Sequence, residues 1–179
     1  FSLTDSEGIS FTPKAIIFDE DAGQLIVIPE NPGEDILVIP FDTSTGNFGS
    51  PQAISESGGA EDIGGADFSP DGNFIYFSRG NQLFRVPSSD LNATPEVIPT
   101  SPTNHQIYDV KTGPDGQLYY IYEEVVGGPQ LIGRVTNPNE PDLALVNLEE
   151  DPFNGTDFCG TIFPIFAPNT DIDPTVNFT

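Results

Sequence analysis

The chain holds one cysteine, one histidine, no methionine and no tryptophan in 179 residues, and each scarcity excludes some chemistry. A lone thiol, Cys159, makes no internal disulfide and cannot build a cysteine-rich zinc site. A lone imidazole, His105, leaves the usual nucleophile–base sets without their commonest base. Positive charge is equally scarce. Lys14, Arg79, Arg85, Lys111 and Arg134 stand scattered against 28 acidic residues, a formal charge of -23. Phosphate binding needs clustered cations that release counterions, and nucleic acid is therefore not expected as a partner. No apolar run reaches the roughly 20 residues of a membrane-spanning helix, and membrane insertion is not expected. There is no basic leader, and the chain opens on Phe1, the start expected of a processed protein or an excised fragment.

What is present points to a folded domain. Hydrophobic residues make up 36% of the chain, with 14 Phe and 5 Tyr, more apolar mass than a disordered acidic segment carries. High negative charge solubilises such a domain in a salty exterior. It also offers oxygen ligands to hard cations, calcium above all, provided that they converge in space. Glycine and proline, 18 of each, interrupt the sequence every few residues, and no sustained helical period of apolar residues survives between them. The remaining pattern is many short strands rich in Ile, Val, Phe and Tyr joined by tight turns.

Internal repetition organises these strands. Ile16–Ile28, Gly65–Phe77 and Asp109–Ile121 align on their turn glycines as strand, Asp/Gly turn and a more apolar strand. A third run follows each, at Asp35–Phe41, Asn81–Val86 and Pro129–Val135, then a fourth, at Pro51–Ile54, Pro95–Ile98 and Asp142–Val146. Four strands recurring roughly every 44 to 50 residues, by the spacing of Gly23, Gly72 and Gly116, match β-propeller blades. The expected fold is all-β, with about three four-stranded antiparallel blades over residues 14–57, 62–101 and 105–148. A closed propeller takes about four to eight blades, so these are expected to be the last part of a larger one. Residues 151–172 are expected to form a closing segment around the apolar run Cys159–Phe166, and residues 173–179 a linker or the start of another domain.

The turns Phe68-Ser69-Pro70-Asp71-Gly72-Asn73 and Gly113-Pro114-Asp115-Gly116-Gln117 resemble those of WD40-like and TolB-like propeller repeats. The order of "ADFSPDGNFIYFSRGNQLFRV", "VKTGPDGQLYYI", "GRVTNPNEPDL", a single Cys and "IFPIFAPN" is similar to the C-terminal half of propeller domains in large secreted or surface proteins of Bacteroidetes-type bacteria. That resemblance implies an extracellular or outer-cell-surface location, gliding-motility or adhesion partners, and a following PKD-like domain, whose first strand Pro174–Thr179 resembles. The segment Phe163-Pro164-Ile165-Phe166 departs from the family's Gly-Leu-Pro-x-Phe closing sequence.

Few residues qualify for chemistry. The Ser69–Gly72 and Gly113–Gly116 turns are explained by backbone geometry: proline sets φ, aspartate caps an amide and glycine takes positive φ. Asp19-Glu20-Asp21 and Glu61-Asp62 are dense carboxylate groups best read as solvated or turn-capping. Asp151, Asn154, Thr156 and Asp157 in "DPFNGTD" have a spacing that a loop cation site tolerates. His105, beside Asn104, has Asp109 as its only acidic companion and no nucleophile, which favours a turn histidine. Cys159 reads as a small buried hydrophobe. The sequons at Asn92, Asn154 and Asn177 have no role in a bacterial protein.

Three functions compete. The first is a non-enzymatic extracellular scaffold or adhesive recognition module without a cofactor. It would bind a surface glycan or protein through connecting loops 55–62 and 99–106, with Glu61, Asp62, Asn104 and His105 as candidate contacts. Its other partners would be neighbouring blades or domains of the same polypeptide. The second is a metal-dependent, lactonase-like hydrolase in which Asp67 and Asp109, on innermost strands, hold a cation that activates water. The third is a fibre subunit whose open sheet edges pair with a neighbour.

Overall fold

A computed structural model of the chain describes residues 3–4, 10–19, 22–99, 106–125, 127–153 and 160–164. Its strands are β1 (Leu3–Thr4), β2 (Ser10–Phe11), β3 (Pro13–Asp19), β4 (Gln24–Pro29), β5 (Leu37–Asp42), β6 (Asn47–Phe48), β7 (Gln52–Ala53) and β8 (Ile63–Phe68). They continue as β9 (Phe74–Arg79), β10 (Gln82–Pro87), β11 (Glu96–Val97), β12 (Gln106–Thr112), β13 (Leu118–Glu123), β14 (Leu131–Thr136) and β15 (Asn147–Glu149). Three antiparallel sheets follow in chain order. The first runs β3-β4-β5, with both β6 and β7 paired to β5; the second runs β8-β9-β10-β11 and the third β12-β13-β14-β15. Each is an up-and-down meander of the blade kind, and the fold is all-β as the repeat implied. A separate hairpin pairs β1 with β2.

One expected strand lies elsewhere. In the third sheet the run Leu143–Leu145 is a turn of 3-10 helix, and the fourth strand is β15 immediately after it. Pro141 and Asp142 cause the difference. Proline restricts the chain ahead of the turn, and the Asp142 carboxylate accepts the Ala144 N–H (3.0 Å), an N-cap that favours a helical turn over extended backbone.

The turn glycine also sits at different places in the hairpins, and the third hairpin is one residue shorter, which changes which residues correspond. Strand pairing ends at Asp19↔Gln24 in the first sheet. In the second, the bond from Ser69 N–H to the Phe74 carbonyl (2.8 Å) continues the ladder past Phe68↔Ile75, and in the third Gly113 N–H to Gln117 (2.8 Å) continues it past Thr112↔Leu118. Alignment on the turn glycines sets Phe18 beside Asp67; alignment on the ladder sets Phe18 beside Phe68 and Thr112. Since alternate residues face opposite sides of a sheet, this one-residue slip reverses the face assigned to every side chain of β3.

Two apolar seams join the sheets. Ile26, Ile28 and Val38 of the first pack with Ala66, Phe68, Ile75, Phe77 and Phe84 of the second. Phe74, Tyr76 and Leu83 of the second pack with Val110, Leu118, Tyr120 and Val135 of the third. Each Ile, Val, Leu or Phe side chain among them contributes about 1.5–3 kcal/mol when fully removed from water. Close approach at the second seam needs the Gly64–Gly65 pair of β8, because a Cβ at Gly64 would overlap the Tyr108 carbonyl and one at Gly65 the Asp109 carboxylate.

Cations then fasten what the apolar seams align. At the first seam, Lys14 Nζ donates to the Ile63 carbonyl (2.8 Å). Arg79 Nη1 reaches the carbonyls of Glu56, Ser57 and Gly58 (3.0, 3.0 and 2.8 Å) in the connection between the first two sheets. At the second seam, Arg85 has no exposed surface. Its Nη1 and Nη2 donate to the carbonyls of Glu140 (2.5 Å) and Pro141 (3.0 Å), its Nε to Glu96 (2.8 Å), and its guanidinium stacks 4.4 Å from the Phe74 ring centre. Tyr76 donates its hydroxyl to the Pro138 carbonyl (2.8 Å), and Asn139 Oδ1 accepts the Asp71 N–H (3.3 Å). The Asn137-Pro138-Asn139 turn of the third sheet is therefore strapped onto the second.

Three substitutions test this arrangement. Arg85→Ala should cost about 2–4 kcal/mol in urea unfolding, from a core-sized void and two carbonyls left without donors. Arg134→Ala, which loses only a part-exposed pair with Glu149, should cost less than about 1 kcal/mol. Tyr120→Phe should be neutral or stabilising by about 1 kcal/mol, because the Tyr120 hydroxyl is buried without a hydrogen-bond partner among the described residues.

Candidate functional site

The two inner-strand carboxylates favoured by the hydrolase reading come close together with Lys111, in the second seam and on the far face of the third sheet. Asp67, on β8, is buried. Its Oδ1 accepts the Phe68 N–H (2.9 Å), and its Oδ2 accepts the Thr112 N–H of β12 (2.9 Å) and lies 3.3 Å from Lys111 Nζ. Thr112 Oγ1 donates to the Phe68 carbonyl (2.7 Å), a second bond in the same direction across the seam. Asp109, on β12, repeats the motif one sheet further on. Its Oδ1 accepts the Val110 N–H (2.9 Å), and its Oδ2 accepts the Phe163 N–H (2.8 Å) from segment 160–164.

Each carboxylate thus bridges its own strand to the next structural unit through a backbone amide. The electrostatics fit this role. Burial pushes the Asp67 carboxyl above its ordinary range, opposed chiefly by the Lys111 ammonium. Burial pushes the Asp109 carboxyl up to about 6, against the pull of the Phe163 and Val110 amides. Lys111 supplies the positive charge beside Asp67. Among the described residues no group of three or more His, Cys, Asp or Glu side chains is placed to hold a metal ion.

The other candidates are dispersed. Glu61 and Asp62 are exposed and, with Ala60, Gly80 and Gln106, line a polar cleft of about 330 Å³ at one end of the second seam. Glu61 lies over Gly80, whose missing side chain makes room for its carboxylate. The Gly80 carbonyl accepts both Gln106 Nε2 (2.8 Å) and the Ile107 N–H (2.9 Å). Asp151 adopts a positive φ of 48° beyond β15. Asn104, His105, Asn154, Thr156, Asp157 and Cys159 lie outside the described residues.

The proline–glycine turns have the expected bonding. In Ser69–Gly72, the Gly72 N–H reaches the Ser69 carbonyl (2.8 Å), Gly72 takes a φ of 72°, and Asp71 Oδ1 accepts Ser69 Oγ (2.7 Å) and the Asn73 N–H (3.1 Å). In Gly113–Gly116, Asp115 accepts the Gln117 N–H (3.2 Å) and the Tyr119 hydroxyl (2.8 Å). Sequence reasoning missed Arg85 and Asn139. The signal for Arg85 was a cation inside the apolar run Leu83-Phe84-Arg85-Val86, a position that a strand reserves for a buried partner.

No family model matches the chain, and no curated protein matches it. Among solved structures it is similar to a candidate 6-phosphogluconolactonase from Bacteroides uniformis, at 14% identity and a TM-score of 0.49, over 83% of this chain and 47% of that one. The chain thus spans about half the length of that protein. A likeness at this level assigns no residue a role.

The Asp109 bridge yields a pH prediction. A carboxyl that is harder to ionise when folded, near 6 against 3.8 for its ordinary value, binds more protons in the native state between those values. Its contribution therefore favours folding at low pH and is lost as pH rises through about 6. In Asp109→Asn that contribution disappears. The change in melting temperature between pH 4 and pH 7, read in a salt series that screens the general repulsion, should be smaller in Asp109→Asn than in the parent chain. Equal changes would remove Asp109 from this account.

Proposed function

We propose that the chain is a non-catalytic propeller module of a larger cell-surface or secreted protein, acting as an extracellular scaffold or adhesive recognition unit. The observation that carries this reading is the use made of Asp67 and Asp109. Both accept amides from the next structural unit, and Lys111 neutralises Asp67, so the polar groups best placed for metal-assisted hydrolysis serve to join sheets. The formal charge of -23 supports a role in a salty exterior, where screening limits self-repulsion. Recognition is assigned to the blade-connecting loops, which a rigid sheet array positions while leaving their sequences free to vary. The polar cleft at Glu61 and Asp62 is the described part of that surface. Its ligand class would be a hydroxyl-rich surface glycan or a protein carrying cationic groups, both of which suit exposed carboxylate acceptors.

The test is a binding screen of the purified chain on arrayed surface glycans and proteins, run beside a panel of lactone and ester substrates with added divalent metals. Saturable binding that the double variant Glu61→Ala, Asp62→Ala weakens by about tenfold, or 1.4 kcal/mol, with an unchanged melting temperature, is the expected outcome. Metal-dependent hydrolysis abolished by Asp67→Asn would overturn the reading in favour of an enzyme.

A further inference from the structure

The chain has two lysines, and they meet different partners. Lys14 Nζ donates to a backbone carbonyl, that of Ile63 (2.8 Å). Lys111 Nζ lies 3.3 Å from Asp67 Oδ2, a longer contact than the 2.8 Å between Arg85 and Glu96. Both oxygens of Asp67 are already engaged by amides, Oδ1 by Phe68 of β8 and Oδ2 by Thr112 of β12 (2.9 Å each). The carboxyl is thus held in place from both sides of the second seam, and the Lys111 nitrogen stands against it without being its main hydrogen-bond donor.

The surroundings disfavour charge on this pair. The Asp67 side chain is 9% exposed and that of Lys111 25%, and burial penalises the Asp67 carboxylate. An ion pair taken out of water regains its desolvation cost only when geometry and hydrogen bonding are excellent. Lysine has a way out that arginine lacks, because an ammonium can give up its proton and a guanidinium does not. Transfer of that proton to the carboxyl leaves a neutral amine, which is a nucleophile, beside a neutral carboxylic acid, whose Cγ is the electrophile. At Arg85, where the buried charge is matched by two carbonyls and a carboxylate, the chain uses the residue that cannot react in this way.

We propose that Lys111 Nζ and the Asp67 carboxyl condense to an isopeptide bond that ties β12 to β8. The nitrogen lone pair forms the Nζ–Cγ bond and one Cγ–O bond breaks. That oxygen leaves as water, with the carboxyl proton and one proton from the nitrogen. The other oxygen remains as the amide oxygen, available to the Thr112 N–H. No oxidant or co-reactant is consumed. Holding the two groups in contact supplies an effective concentration of roughly 10⁵ M or more where the orientation is good, and the exposed part of Lys111 gives the water a path out. The product is uncharged, which relieves the seam of an ion pair. The bond closes a covalent loop that contains β9, β10 and β11, and it does not depend on what the module recognises.

Intact-mass spectrometry of the chain, folded and then denatured for the measurement, tests the proposal. The expected mass is that of the sequence less one water. After trypsin, residues 15–79 should remain joined to residues 86–134, because an acylated Lys111 is not cut. Lys111→Arg keeps the positive charge but lacks the amine, and should show the full sequence mass. A folded parent chain at full mass, cut after Lys111, would overturn the proposal. A deficit of one water that persists in Lys111→Arg would also overturn it, assigning the loss to ring closure at Asp71-Gly72 or Asp115-Gly116. Should Lys111→Arg fail to fold, the tryptic product of the parent chain decides on its own, since ring closure at those turns leaves residues 15–79 and 86–111 separate.

Discussion

Arg85 lies at the point on which the arrangement of the sheets depends. A guanidinium with no exposed surface survives burial only when its donors are met, because an unmatched buried charge costs several kcal/mol. Here the Glu140 and Pro141 carbonyls and the Glu96 carboxylate meet them. Those carbonyls belong to a loop of the third sheet, whereas Arg85 belongs to the second. The two sheets must therefore sit in one relative position for the charge to be satisfied at all. Apolar packing at the seam supplies most of the attraction, but it is non-directional; the guanidinium supplies the direction.

The same economy governs the remaining cations. With only 5 basic side chains against 28 acidic ones, the chain places Lys14, Arg79, Arg85 and Lys111 between sheets or at their connection, and keeps Arg134 within the third sheet. Three of the four reach backbone carbonyls. Carbonyl oxygens of this kind do not change charge with pH, and such contacts keep their geometry while the carboxylates around them titrate. Asp67 and Asp109 work in the opposite sense, offering carboxylate oxygens to amides of the next unit. Carboxylates that look catalytic by type are here engaged by backbone amides.

The sequence disclosed the repeat, the strand-rich character and the turn chemistry, because all three depend on local residue preferences. Pro70, Asp71 and Gly72 act within a few residues of one another, and so do Pro114, Asp115 and Gly116. It disclosed less wherever the deciding contact is distant along the chain. Nothing near Arg85 marks Glu140 as its acceptor, and nothing near Asp67 marks the Thr112 amide. The misplaced fourth strand shows a local competition decided by one cap, since Leu143–Leu145 carries strand-like residues but follows Pro141 and Asp142. Alignment on the turn glycines failed for a related reason. A hairpin loop can place its glycine at different positions, or gain or lose a residue, with little cost, whereas the ladder cannot shift, and the ladder sets the face on which each side chain lies. Glu61 and Asp62 were legible as an exposed loop pair, although the cleft they share with Gly80 and Gln106 is a product of the seam.

Native-state hydrogen exchange is the most direct measurement of whether the second seam unites the structure. If Arg85 and its straps join the second and third sheets into one cooperative unit, amides of β9 and β13, such as Tyr76 and Ile121, should exchange through a single opening of the same free energy and the same denaturant dependence. Separate openings for the two sheets, each with its own denaturant dependence, would contradict the account.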